Sequence, residues 1–75
     1  MKDLIEYIAK SLVDSPNDVH IRQIEGEQSV ILELRVAPDD MGKVIGKQGR
    51  VAKAMRTLLK IAAAREGRRV ILEIA

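Results

Sequence analysis

The residues best suited to chemistry lie together near the middle of the chain: Gly46-Lys47-Gln48-Gly49, preceded by Val44-Ile45 and followed by Arg50 and Lys53. Glycine lets a backbone approach a ligand closely. A helix that starts just after a glycine-rich loop adds free amides and the positive end of its dipole, so such loops hold phosphates. Two nucleotide-binding templates fail on spacing. A P-loop needs four residues between its glycines and then Gly-Lys-Ser/Thr. Here three residues separate Gly42 from Gly46, and Gln48 stands where Ser/Thr should be. A dinucleotide fingerprint needs Gly-x-Gly-x-x-Gly, whereas Gly42, Gly46 and Gly49 are spaced Gly-x-x-x-Gly-x-x-Gly. What survives is a Gly-x-x-Gly turn with two polar residues at its tip.

Other chemistry finds little support. Zero cysteines and one histidine exclude thiolate zinc sites and multi-histidine metal sites. His20 sits opposite the Val19/Ile21 face and is expected at the surface, while Met55 at helical spacing belongs to a core. Asp39 and Asp40 are adjacent, so they do not face each other on a helix and suit a helix N-terminus better than an acid–base pair. No nucleophile–base pair is visible, and no enzyme or cofactor is expected. With 47% hydrophobic and 32% charged residues the chain is of the folded globular kind. Its longest apolar run, Ile61-Ala62-Ala63-Ala64, falls far short of the roughly 18 residues of a membrane helix. The Met-Lys-Asp start shows no signal-peptide core, and the expected location is cytoplasmic.

The charge is unevenly placed. Residues 1–40 carry four basic and nine acidic side chains, a net of −5; residues 41–75 carry nine basic and two acidic, a net of +7. A polyanion-binding second half is one reading of this asymmetry, and a solvated basic helix face is the other.

The elements that must position the loop follow from periodicity. Leu4, Ile5, Ile8 and Leu12 recur at helical spacing and predict a helix over about 3–14, with Asp3 as cap and Glu6 as its capping-box partner; Pro16 must end it. Val19 to Arg22 alternates as a half-buried strand, and the slip at Gln23-Ile24 predicts a bulge or an early end. Residues 25–28 read as a hairpin turn. Val30, Leu32, Leu34 and Val36 then alternate with Glu33 and Arg35 in a strand over 29–37. Asp39-Asp40 start a short helix over about 40–46, and a second helix runs from Arg50 to about Arg65, where Gly67 ends it. Val70, Leu72 and Ile74 make a last strand over 69–74. The order is α-β-β-α-α-β: an α+β unit of one domain, 1–75. Its strand–helix–helix–strand part should bring strands 29–37 and 69–74 parallel, in a three-stranded mixed sheet with helices packed on one face.

The Val44-Ile45-Gly46-Lys47-Gln48-Gly49 motif, in this order of elements, resembles the K-homology (KH) RNA-binding domain in its bacterial, type II form. The likeness covers the whole chain and extends to the stand-alone bacterial KH-domain RNA-binding proteins. It implies that the loop clamps a single-stranded RNA backbone of about four nucleotides. Carried over, the RNA-binding residues are Lys43, Val44, Ile45, Gly46, Lys47, Gln48, Gly49, Arg50 and Lys53. Val44 and Ile45 would floor the base groove, with aliphatic residues of strand 29–37 opposite and hairpin 25–28 as the variable loop. Arg56 and Lys60 read as bystanders. Composition agrees independently. Sheet binders that stack bases need aromatic side chains, and this chain has only Tyr7, on the first helix. The expected function is a non-catalytic RNA-binding protein, acting as a broad RNA chaperone or post-transcriptional regulator. The rival is an assembly adaptor that uses the KH fold for protein contacts.

The resemblance also implies a homodimer, and admits a heterodimer with a larger KH-containing bacterial protein. The helix over 50–65 offers a surface for it. On a wheel with residue 51 at 0° and about 100° per residue, Val51, Met55, Leu58 and Ala62 centre on the expected core direction near 10°. A surplus flank of Ala54, Thr57, Ile61 and Ala64 is left over as the dimer contact. Ile61 is either its anchor or the completion of the monomer core, and the sequence leaves both open.

Overall fold

A computed structural model describes residues 1–75. Its elements are helix α1 (Lys2–Leu12), strands β1 (His20–Glu25) and β2 (Ser29–Arg35), helices α2 (Met41–Ile45) and α3 (Arg50–Arg65), and strand β3 (Arg69–Ile74). Short 3-10 turns occupy Pro16–Asp18, Pro38–Asp40 and Lys47–Gly49. The sheet order is β1-β2-β3, with β2 central. β1 runs antiparallel to β2 from His20↔Arg35 to Glu25↔Val30. β3 runs parallel to β2 from Ser29↔Arg69 to Leu34↔Ile74, as expected for the crossover.

The core follows from the alternation in β2. Val30, Leu32 and Leu34 have no exposure and meet Ile5 and Ala9 of α1, Val44 of α2, and Met55 and Leu59 of α3. The helices thus cover one sheet face. No helix is long and apolar enough to cross a membrane.

Several details depart from the sequence reading. α1 starts one residue early, with Met1 at the cap position and no side-chain cap, so Asp3 lies inside the first turn and favours the dipole rather than the cap. The helix also ends earlier than residue 14, since Val13 is already extended. β1 has no bulge: its ladder continues to Glu25. The slip at Gln23-Ile24 has another cause. Gln23 shares its sheet face with Ile21, yet it is exposed and binds the Glu25 carboxylate at 2.6 Å. Ile24 points to the other face, in register with Ile31 and Ile71. The face preference changes while the strand continues. The ladder of β2 stops at Arg35, although Val36 stays buried and donates to the Ala75 carbonyl at 3.4 Å.

The largest departure is the rotation of α3. Its buried residues are Ala52, Met55, Leu59 and Ala63, which centre about 75° from the expected direction at 100° per residue. Small side chains at 52 and 63 let the helix lie close on the sheet. Leu58 is left 45% exposed and Ile61 53% exposed. The core reading of Ile61 therefore fails.

Candidate nucleic-acid interface

The loop between α2 and α3 has a backbone that its glycines make possible. Gly46 has φ +79°, and a Cβ there would lie 2.5 Å from Val51 Cγ2 and 2.8 Å from the Val51 amide nitrogen. No other residue fits. Gln48 (φ 59°) and Gly49 (φ 74°) follow in the left-handed region, which is costly for a residue with a side chain and easy for glycine. A hydrogen bond from the Gly49 amide to the Gly46 carbonyl, 3.1 Å, closes the turn. Lys47 and Gln48 are thereby pushed to the exposed tip. α3 then begins with no side-chain cap and no acidic residue in its first turn; Arg50 and Lys53 stand there instead. Cations at that end oppose the helix dipole, so the arrangement costs stability and favours an anion. Arg50 Nη2 reaches Gln48 Oε1 at 3.4 Å.

Behind the loop, Asp40 holds α2 to the end of α1. Its carboxylate is 2% exposed and accepts from the amides of Asp14 at 3.2 Å and Ser15 at 3.1 Å. The sequence reading has Asp40 capping its own helix, but no such bond forms. Burial alone would raise the Asp40 pKa, yet the two amides and the Lys43 ammonium outweigh it and hold the group below the usual value. Lys43 bonds to Asp14 and, at 3.4 Å, to Asp40. The Asp14 bond above all raises its pKa; burial opposes this and Asp40 adds to it. This is a buttress under the loop, and it occupies one of the cations assigned to RNA.

Val44 also stands apart from the expected site. It has no exposure and belongs to the core, so it shapes the floor from beneath. Ile45 is half-buried. The strand 29–37 cannot be the opposite wall either, because β2 is central and its helix-facing side chains are sealed. The open groove lies between α3 and the edge strand β3. It measures about 590 Å³ and is lined by Arg56, Leu59, Lys60, Ala63 and Ala64 from one side and residues 68–72 from the other. Four of these residues, Arg56, Lys60, Arg68 and Arg69, are cations, and none is acidic. Arg68 also pairs with Glu25 at 3.6 Å.

Sequence reasoning missed β3, Arg68 and Arg69, and it set aside Arg56 and Lys60. A signal was present. A hairpin that pairs β1 with β2 leaves only the far edge of β2 for a parallel third strand, and α3 leads directly into that strand. The turn between them, rather than hairpin 25–28, therefore closes the far end of the groove. The Arg69 amide nevertheless donates to the Gln28 carbonyl at 2.9 Å, which keeps the two turns together.

On the opposite flank of α3, Ala54, Thr57, Ile61 and Ala64 are all exposed, beside Leu58. Thr57 Oγ1 donates to the Lys53 carbonyl at 3.0 Å, so its hydroxyl is satisfied within the helix and leaves the surface nearly apolar.

Comparison with known proteins fits this geometry. Residues 2–74 match the family model described as KhpA/KhpB, KH domain. The RNA-binding protein KhpA of Clostridium perfringens is 64% identical over 74 residues, covering 99% of both chains. The protein of the same name from Clostridium acetobutylicum is 65% identical with the same coverage, and that of Aquifex aeolicus is 53% identical over 99% of this chain and 94% of its own. Among solved structures, Era in complex with MgGDPNP and nucleotides 1506-1542 of 16S ribosomal RNA is similar with a TM-score of 0.58 at 22% identity, over 97% of this chain and 28% of that one. At that identity the likeness speaks for the fold alone. Fold, loop and full-length relatives agree: the chain belongs to the KhpA/KhpB KH-domain family, a non-catalytic one.

Proposed function

We propose that this protein binds single-stranded RNA, with the phosphates of about four nucleotides over the 46–49 loop and the bases in the groove between α3 and β3. The observation that carries this reading is the loop itself. Gly46, Gln48 and Gly49 all take positive φ, presenting Lys47 and an uncapped helix start at one end of a cationic groove. The names of the relatives, each an RNA-binding protein KhpA, support it. Lys47, Arg50 and Lys53 supply mobile cations for phosphate. The exposed positions along α3 span roughly 20 Å at 1.5 Å per residue, which suits a short strand rather than a long duplex. Lys43 and Val44 act by holding the loop, and Ile45 and the glycines by shaping it.

The protein works in this reading as a cytoplasmic homodimer joined through Ala54, Thr57, Ile61 and Ala64. Leu58 and Ile61, exposed on one flank, support self-association, and the same surface would serve a larger KH-containing bacterial protein. A broad RNA chaperone or post-transcriptional regulator fits a groove without aromatic stacking. The test is Lys47→Asp with Gln48→Asp. The expected outcome is loss of binding to short single-stranded RNA with an unchanged thermal melt, since both side chains are exposed. Unchanged affinity would move the binding site elsewhere and favour a protein adaptor.

A further inference from the structure

The groove between α3 and β3 carries a hydrogen-bonding pattern as well as charge. In the parallel ladder, the amides of Arg69 and Ala75 point to β2, reaching the carbonyls of Gln28 at 2.9 Å and Leu34 at 2.8 Å. Backbone groups alternate sides along a strand, so Val70 and Leu72, of opposite parity, turn theirs to the open edge. One of those groups is already taken. Arg56 Nη2 donates to the Leu72 carbonyl at 3.4 Å. A guanidinium has five N–H donors and no acceptor, so this contact replaces a strand-edge acceptor with a fork of donors. The amides of Val70 and Leu72 and the Lys60 ammonium add donors, and no carboxylate lines the groove.

We propose that Arg56 is a specificity-determining residue that makes the groove prefer guanine over adenine. Guanine presents two neighbouring acceptors, N7 and O6, which suit an arginine fork. Adenine presents N7 beside the N6 amino donor, which meets other donors here and finds the Leu72 carbonyl occupied. The inference rests on the groove being the base site proposed above.

The experiment is fluorescence anisotropy of the full chain with labelled hexa-adenylate and the same strand carrying one central guanine or one central inosine. Inosine keeps N7 and O6 and lacks the 2-amino group. Both substituted strands should bind about 5- to 10-fold more tightly than hexa-adenylate, the low end of what a bidentate base contact gives. Arg56→Met should erase that preference. Arg56→Gln, which keeps a polar partner for Leu72 and turns an acceptor toward the base, should do the same or favour adenine. Lys60→Ala should weaken all three strands alike. Equal binding of the three strands by the unaltered protein overturns the inference while leaving RNA binding intact, as does a preference that survives in a folded Arg56 variant. Absence of binding to any strand overturns the RNA reading and this inference with it.

Discussion

The two flanks of α3 are built from one helix and differ in almost everything else. Toward β3 the helix presents Arg56 and Lys60 above a groove that Arg68 and Arg69 close. Away from it the helix presents Ala54, Leu58 and Ile61, with a threonine whose hydroxyl is turned onto the backbone. One flank attracts and orients a polyanion; the other gains by leaving water, at about 25 cal/mol for each Å² of apolar surface covered. Small residues on the second flank let another helix come close, and a two-fold axis would repeat the patch on both copies. The contrast teaches that a short helix can serve two surfaces when its core stripe is narrow. Only Ala52, Met55, Leu59 and Ala63 are spent on the core.

The contrast breaks most easily on the apolar flank. Ile61→Asp should raise the dimer dissociation constant by about 100-fold or more, because an aspartate in a dry interface is either buried unpaired or forces the two helices apart. Sedimentation should show a folded monomer, and RNA affinity per site should change by less than about 3-fold. A folded dimer would remove this flank from the assembly.

Charge reversal of the other flank should give the converse. Arg56→Glu with Lys60→Glu should weaken RNA binding by about 50-fold, given that charge-assisted contacts are worth about 1.5–3 kcal/mol each. The dimer should remain. Dissociation of the dimer in this variant would mean that the two flanks are not separate.

Salt sharpens the contrast without any mutation. Three phosphate contacts, from Lys47, Arg50 and Lys53, give a slope near −2, hence about a 20-fold loss of RNA affinity between 50 and 200 mM salt. Dimer affinity should change by less than about 2-fold over that range. A steep salt dependence of the dimer would show that its contact is ionic.

The smallest effect concerns the buttress that both flanks share. The Asp40 pKa lies below the usual carboxylate value. Its stabilising bonds are therefore fully present above the unfolded-state value, 3.8, and are lost as pH falls through the lower folded value. The Asp40→Ala variant, which leaves the Asp14 and Ser15 amides without partners, should melt several degrees lower at neutral pH. It should also lose part of the acid sensitivity of the unaltered protein. An unchanged melt at neutral pH would show that those amides find water instead.

Much of this architecture was readable from residue order. The alternation of Val30, Leu32 and Leu34, the proline stops, and the glycines at 46, 49 and 67 each have one local physical meaning, and the structure honours it. Three features were hidden because they depend on tertiary placement. The apolar arc of α3 is wider than its core stripe, so periodicity alone admitted either rotation. Asp40 suited a local cap and found a better use 26 residues away, at the Asp14 amide. The groove wall was assigned to β2 because its aliphatic pattern was the cleanest, and that pattern is clean because β2 is sealed on its helix-facing side.

The uneven distribution of charge has a consequence for the speed of encounter. A net charge of +2 suggests weak long-range attraction. But the molecule is 35 Å in its longest dimension, while the Debye length in physiological salt is about 8 Å. An approaching strand senses the nearest end of the protein and little of the remainder. The cations of the loop and α3 are thus not cancelled by the acidic side chains of α1 and the β1–β2 hairpin. Collisions at the basic end are productive and those at the acidic end are turned away, so the protein should select its orientation before contact. Its association rate should follow the local charge of α3 rather than the charge of the whole chain.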